Sequence, residues 1–194
     1  DLSGLRPHQI ANKGMVRTFQ LTKSLAKMTV IDNMLLGAAE QKGESLRNAL
    51  LPSRWQKQEK QILKKAEDLL GRFKLSHMRD EYAATLSGGQ RKLLEMARAL
   101  MSEPKLILLD EPMAGVNPVL VESLLVHIEN LRDEGVSVLF IEHDMDAIMG
   151  ISDWIVVLAE GQVIAEGTPS DVSKNPAVID AYLGSAIAEE LKDV

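Results

Sequence analysis

The 194-residue chain contains no cysteine, which excludes a disulfide framework, a thiol nucleophile and a thiolate metal site. Long apolar runs are also missing: the run at residues 136–141 is far shorter than the roughly 20 residues that a transmembrane helix needs. The formal net charge of -6 shows no basic excess and argues against a nucleic-acid partner. A composition of 45% hydrophobic and 26% charged residues is ordinary for a globular protein, so we expect one domain, or one domain with a subdomain.

Two further features are missing from the printed sequence. Its first residues, Asp-Leu-Ser-Gly, contain neither an initiator methionine nor a secretory signal pattern, and we therefore expect a piece of a longer chain. No glycine is followed at the required spacing by Gly-Lys-Ser/Thr, which would form a loop that grips nucleotide phosphates. The sequence given therefore contains no loop of this type with which to hold nucleotide phosphates.

Apolar periodicity predicts mainly helices in the first half of the chain and alternating strands and helices in the second. The predicted segments are helices 56–75, 90–101, 118–132 and 144–150, and strands 105–109, 136–141 and 154–158. Such alternation is typical of a parallel sheet covered by helices. Gly161, between two apolar runs, predicts a hairpin that closes the sheet edge.

Two adjacent carboxylates, Asp110 and Glu111, follow the apolar strand predicted at 105–109. Ligands of open parallel sheets bind beyond the C-terminal ends of the strands. Asp110 is suited to hold Mg²⁺, directly or through water, while Glu111 is suited to polarise an attacking water, a division of tasks that phosphoryl transfer needs. The competing interpretation is a solvated acidic turn, which an isolated Asp-Glu pair would favour.

Residues 86–90, Leu-Ser-Gly-Gly-Gln, precede the helix predicted from residue 90. Ser87 and Gln90 have the spacing of a capping box, in which each side chain satisfies a free backbone amide. Capping does not account for Gly88 and Gly89, since consecutive glycines cost helix stability and are useful where a ligand approaches the backbone. The free amides and positive dipole end of a helix N-terminus favour an anion, so we assign both capping and phosphate contact here.

Two more polar residues end predicted strands. His143 follows strand 136–141, on the same predicted sheet edge as Asp110 and Glu111, and we interpret it as a contact to a terminal phosphate that also orients water. A lone histidine there is more often structural. Gln20 is suited to reach the metal or water through its amide. The remaining histidines show no metal-ligand spacing and are assigned to the surface or to packing: His8, His77 and His127.

The order of these motifs resembles that of the ATP-binding subunits of ABC transporters. Residues 86–90 match the signature motif of that family, and residues 106–111 resemble its Walker B strand with the catalytic glutamate. Residues 114–117, Ala-Gly-Val-Asn, resemble the D-loop, Gln20 lies in a segment that resembles the Q-loop, and His143 resembles the switch histidine.

Three segments resemble one branch of the family, the branched-chain amino acid importers. They are residues 16–20, 111–118 and 178–184. Asn117 departs from the Asp usual in ABC D-loops at large but fits that branch.

The resemblance implies an α/β fold, a P-loop NTPase-like parallel sheet of ABC ATPase type, incomplete here, with a helical subdomain. It divides the chain into a remnant of the nucleotide-binding core at 1–20, a helical subdomain with the signature motif at 21–101, an α/β core at 102–168 and a C-terminal helical extension at 169–194.

The resemblance also implies ATP and Mg²⁺ as cofactors and a head-to-tail pair of ATPase subunits, identical or different. Ser87 and Gly89 of one subunit then face ATP held by the other, with Gly88, Gln90 and Asn117 in the same site. ATP binding closes the pair and hydrolysis reopens it. Transmembrane permease subunits dock near the Q-loop and the helical segment, and a solute-binding protein acts through them. The implied location is the cytoplasmic, inner face of the cell membrane.

Three functions stay open at this point. The first is an ATP-hydrolysing subunit of a transporter, of which these residues are the C-terminal part. The second is a non-catalytic interaction module, because the Walker A loop and the upstream aromatic that stacks on adenine in the family are both missing; we expect no appreciable hydrolysis from the 194 residues alone. The third, a chromosome-type ABC ATPase, is disfavoured by the acidic charge and the absence of a long coiled coil.

Overall fold

The computed structural model describes residues 2–18, 25–44, 48, 53 and 55–181. The chain divides into two compact units, residues 1–142 and 143–194. In the described part of the chain, we find no helix whose length and hydropathy would carry it through a lipid bilayer.

The first unit contains a parallel sheet of three strands in the order β1-β2-β3. These are β1 (Met15–Arg17), β2 (Leu106–Asp110) and β3 (Ser137–Ile141). The central strand buries Ile107 and Leu109, and Asp110 at its end pairs in register with Ile141. All three strands run in the same direction, so the prediction of a parallel sheet in an α/β fold is confirmed.

The first unit also contains helices, of which five have described bounds. They are α1 (Pro7–Asn12), α2 (Val30–Leu35), α3 (Gln56–Arg72), α4 (Gly88–Leu100) and α5 (Pro118–Asp133). Single 3₁₀ turns occupy Lys42–Glu44, Ser76–Met78 and Ala83–Thr85. The side chains of Thr29 and Asn117 accept hydrogen bonds from the third following amide, so each residue is the N-cap of its helix. Helix α4 begins two residues before its predicted start.

Helices α2, α3 and α4 share an apolar core. Val30, Met34, Leu70 and Leu94 are each at most 1% exposed. The chain after α2 lies directly on α4, since a Cβ built on Gly37 would stand 2.4 Å from the backbone oxygen of Arg98. These contacts hold α4, the helix whose first turn includes Gly88, Gly89 and Gln90.

A buried histidine lies between the end of α3 and the middle of α5. His127 is 7% exposed, and its ring centroid is 4.3 Å from that of Phe73. Among the described residues, neither imidazole nitrogen has a hydrogen-bond partner. Burial, together with the positive charges of Arg72 and Lys74, lowers the pKa of His127. Of the two assignments left open for this histidine, packing is confirmed.

The second unit contains α6 (Met145–Ile151), β4 (Ile155–Ala159), β5 (Gln162–Gly167) and α7 (Pro169–Val172). Its core consists of Ile155, Ala165, Val172 and Val178. The predicted hairpin is confirmed, and Glu160 and Gly161 at its tip have φ values of 51° and 77°. The prediction that it closes the parallel sheet is wrong: β4 and β5 pair antiparallel in a separate two-stranded sheet. The two-residue turn brings these strands together locally, without the long crossover that parallel pairing needs.

Candidate functional site

The chain turns sharply where β2 ends, and we call residues 110–114 the carboxylate turn. Glu111 adopts a φ of 44°, in the left-handed region that non-glycine residues rarely occupy. Its backbone amide donates a hydrogen bond of 3.0 Å to the carbonyl oxygen of Ile141 on β3. A conformation that is intrinsically unfavourable persists only where the surrounding structure holds it.

Two charged side chains hold this turn from different elements. The Lys92 ammonium, on α4, donates to the carbonyl oxygens of Glu111 at 2.9 Å and Ala114 at 2.6 Å. The Glu142 carboxylate, directly after β3, accepts a hydrogen bond of 2.7 Å from the amide of Met113. Burial lowers the pKa of Lys92, while the charges of Glu142, Glu111 and Glu95 act in the opposite direction.

Asp110 forms an ion pair with Arg17, which lies on the neighbouring strand β1. The Arg17 Nη2 to Asp110 Oδ2 distance is 2.8 Å, and the Asp110 side chain is 25% exposed. In the described part of the chain, no three His, Cys, Asp or Glu side chains form a metal-binding group. One accessible carboxylate still fits Mg²⁺, since this ion commonly takes one or two carboxylates and completes its shell with waters and substrate phosphates.

Residues 86–90 form the first turn of α4 and the segment before it, which we call the signature end. The Ser87 Oγ accepts from the amide of Gln90 at 3.2 Å, and the Gln90 Oε1 accepts from the amide of Ser87 at 2.9 Å. The predicted capping box is therefore confirmed.

The two glycines of the signature end have different surroundings. A Cβ built on Gly89 would lie 2.5 Å from the Leu120 Cδ1 and 3.5 Å from the Val116 Cγ1. Gly89 thus lets α4 pack closely against the start of α5, a reason that no local sequence pattern indicates. A Cβ on Gly88 would meet nothing within 4 Å among the described residues, so packing does not require a glycine there.

The other predicted site residues lie as follows. Asn117 caps α5, and its Oδ1 accepts a hydrogen bond of 3.2 Å from the amide of Leu120. His143 is exposed and begins the second unit, directly after Glu142. Gln20 lies outside the described residues. The nucleotide-site roles of all three remain predictions.

Within the first unit, the structure joins the signature end to the carboxylate turn through one helix. Lys92 follows Gln90 by two residues on α4 and bonds to the backbone of the turn. A helix N-terminus of the kind that favours an anion and a carboxylate pair at a strand tip are among the parts that phosphoryl transfer uses.

Comparison with known families shows which family the chain belongs to. The family model described as "ABC transporter" matches residues 2–114, more than half of the chain. The chain belongs to the ABC transporter family. A second model, described as "Branched-chain amino acid ATP-binding cassette transporter", matches residues 162–188 of this ABC protein.

Similar proteins carry names from the same branch of the ABC family. The chain is 46% identical over 189 residues to a probable branched-chain amino acid transport ATP-binding protein LivG of Archaeoglobus fulgidus, which covers 97% of this chain and 73% of that protein. It is 40% identical over 188 residues to the high-affinity branched-chain amino acid transport ATP-binding protein LivG of Escherichia coli, with 95% and 73% covered.

Solved structures of ABC cassettes have the same fold. The chain matches the ADP conformation of an ATP-binding cassette of an ABC transporter with a TM-score of 0.74 at 40% identity, over 92% of this chain and 72% of that one. A nucleotide-free cassette matches with a TM-score of 0.73, also at 40% identity, over 91% and 71%. The predicted fold class is therefore confirmed.

Proposed function

We propose that this chain is part of the ATP-binding and ATP-hydrolysing subunit of an importer for branched-chain amino acids. The observation that carries the proposal is the pair of family matches, of which the one at residues 162–188 is specific to that branch. The named relatives, at 46% and 40% identity, support the same substrate class.

The first unit supplies distinct groups for this function. Asp110 would hold Mg²⁺, which when bound neutralises charge on the phosphate oxygens. Glu111 would polarise the attacking water. The backbone amides of Gly88 and Gly89 would bind the phosphates of a nucleotide held by a second subunit, because the capping box engages the amides and side chains of Ser87 and Gln90.

The remaining predicted roles complete the proposal. His143 would contact the terminal phosphate, Gln20 would reach the metal or water, and Asn117 would lie in the D-loop between the two subunits. Closure of an identical or related pair of subunits on ATP would drive transmembrane permease subunits, which receive solute from a binding protein. The subunit would then act at the cytoplasmic face of the cell membrane.

The Glu111→Gln variant tests the hydrolytic role. In the full-length protein that contains this sequence, we expect Mg²⁺-dependent ATP hydrolysis to fall by about 100-fold or more, because the amide cannot accept a proton from water. Binding of ATP, measured by equilibrium dialysis, should persist. The exposed Glu59, on α3, provides a matched control as Glu59→Gln. Unchanged hydrolysis in Glu111→Gln would refute the assigned role.

The substrate class needs a separate test. Cells that produce the wild-type protein with its permease subunits should accumulate labelled leucine, isoleucine and valine, and cells with Glu111→Gln should not. Labelled glutamate serves as the control solute. Equal uptake of leucine by both strains, or loss of glutamate uptake alone, would contradict the proposed substrate.

A further inference from the structure

We infer that Lys92 is a positioning residue, which ties α4 to the carboxylate turn so that Glu111 is held in place for ATP hydrolysis. The inference rests on the proposed function, because it concerns the efficiency of that reaction. Lys92 would touch neither nucleotide nor water and would act through the backbone of the turn.

The contacts of Lys92 are specific to the turn. Its ammonium bridges the carbonyl oxygens of Glu111 and Ala114, at 2.9 and 2.6 Å, and so closes the turn at two points three residues apart. An ammonium has three donors and no acceptor, which suits it to join two carbonyl groups. A side chain without donors at this half-buried position would leave both oxygens to find other partners, at a cost in stability.

The backbone of Glu111 depends on such support. Its φ of 44° is unfavourable for a residue with a side chain, so the torsion is set by the bonds around it. From the β3 side, Ile141 accepts from the Glu111 amide and Glu142 accepts from the Met113 amide. Lys92 supplies the support from the α4 side. Without it the turn would remain fixed to the end of β3 but would lose this tie to α4.

Lys92 lies on the same helix as the signature end, close to it in sequence. Gln90, two residues earlier, completes the capping box of the signature end, and Gly89 lies against Leu120 of α5. In the proposed pair of subunits, the signature end serves one nucleotide and Glu111 serves the other. Lys92 therefore links groups that belong to two different nucleotide sites.

The test uses Lys92→Met and Lys92→Arg in the full-length protein, with Lys65→Met as the matched control. Lys65 also donates to a backbone carbonyl, that of Met101 at 3.0 Å, and to Glu103 at 2.7 Å, but it does not bond to the turn. We expect Lys92→Met to lower kcat about 10-fold with the KM for ATP within about twofold, since a small misplacement of a reacting group reduces the rate of the chemical step. Lys92→Arg should recover most of kcat, because a guanidinium also donates to two oxygens. Lys65→Met should leave kcat unchanged.

A second measurement does not depend on hydrolysis. Amide hydrogen exchange of Met113 and Ala114 should be faster in Lys92→Met than in the wild type and unchanged in Lys65→Met. A folded Lys92→Met protein with wild-type kcat would overturn the inference, as would equal losses of kcat in Lys92→Met and Lys65→Met. Full hydrolysis by Glu111→Gln would instead refute the proposed function. The hydrogen-exchange rates would still show whether Lys92 holds the carboxylate turn.

Discussion

The signature end and the carboxylate turn present their polar groups in opposite ways. At the signature end, the capping box engages the side chains and amides of Ser87 and Gln90, so the groups that would meet a ligand are the backbone amides of Gly88 and Gly89. At the carboxylate turn, the backbone is engaged by Lys92, Glu142 and Ile141, so the groups proposed to act on a ligand are the side chains of Asp110, which pairs with Arg17, and Glu111. Substitutions should therefore act through backbone geometry in the first region and through charge in the second.

The largest effect should come from removing charge at the carboxylate turn. We expect Asp110→Asn to lower Mg²⁺-dependent ATP hydrolysis by about 100-fold, because the neutral amide is a poor ligand for a hard divalent cation. The Mg²⁺ concentration for half-maximal rate should rise as well. Asp68→Asn, at an exposed position of α3, is the control. An unchanged Mg²⁺ titration of Asp110→Asn would show that charge at this position does not matter.

The two glycines test whether the backbone of the signature end acts on a ligand. Gly88→Ala meets open space and should leave the midpoint of thermal unfolding unchanged or raise it, since alanine favours helix over glycine. ATP-driven association of subunits should nevertheless weaken about 10-fold, the size expected for one lost hydrogen bond to a charged group. Association is measured by sedimentation of proteins that also carry Glu111→Gln, because this substitution is expected to prevent hydrolysis of the bound ATP.

Gly89→Ala provides the contrast, because its methyl group would lie 2.5 Å from the Leu120 Cδ1 and would force the end of that flexible side chain to move. We expect it to weaken the association, with the unfolding midpoint raised less than in Gly88→Ala. If Gly88→Ala associates as strongly as the parent protein, close approach of a ligand to that glycine is not required.

A smaller effect should follow from loss of the cap. Ser87→Ala should lower the free energy of unfolding by about 1 kcal/mol, the usual cost of removing an N-cap side chain. Thr168→Ala removes the equivalent member of a capping box on α7 in the second unit and should cost a similar amount. Urea unfolding measures both changes. Only Ser87→Ala should also weaken ATP-driven association, and an equal weakening by Thr168→Ala would indicate a general loss of stability.

Local chemistry made part of this structure predictable from the sequence. Ser87 and Gln90 satisfy amides within three residues of themselves, so their spacing alone predicted the capping box, although the helix was predicted to begin two residues too late. The order of motifs along the chain likewise indicates the family, because it depends on residue types and spacing alone.

The support of the carboxylate turn was not predictable in this way. Lys92 and Glu142 bond to backbone groups 19 to 29 residues away, and Arg17 pairs with Asp110 across 93 residues. A backbone carbonyl or amide has no residue-specific signature, so a single sequence cannot indicate which side chain will reach it. The contact between Gly89 and Leu120 likewise arises only when α4 and α5 pack together.

The burial of His127, beside Arg72 and Lys74, makes the stability of the first unit dependent on proton uptake. The folded protein holds the pKa of His127 below the ordinary 6.5, whereas the unfolded chain has no such burial. As the pH falls through 6.5, the imidazole is protonated in the unfolded chain but remains neutral in the folded protein. The free energy of unfolding therefore decreases until the pH reaches the lowered pKa of the folded protein. Above this range both states carry a neutral imidazole, and the contact adds no pH dependence. The junction of α3 and α5 is therefore a point at which acidification favours unfolding of the first unit.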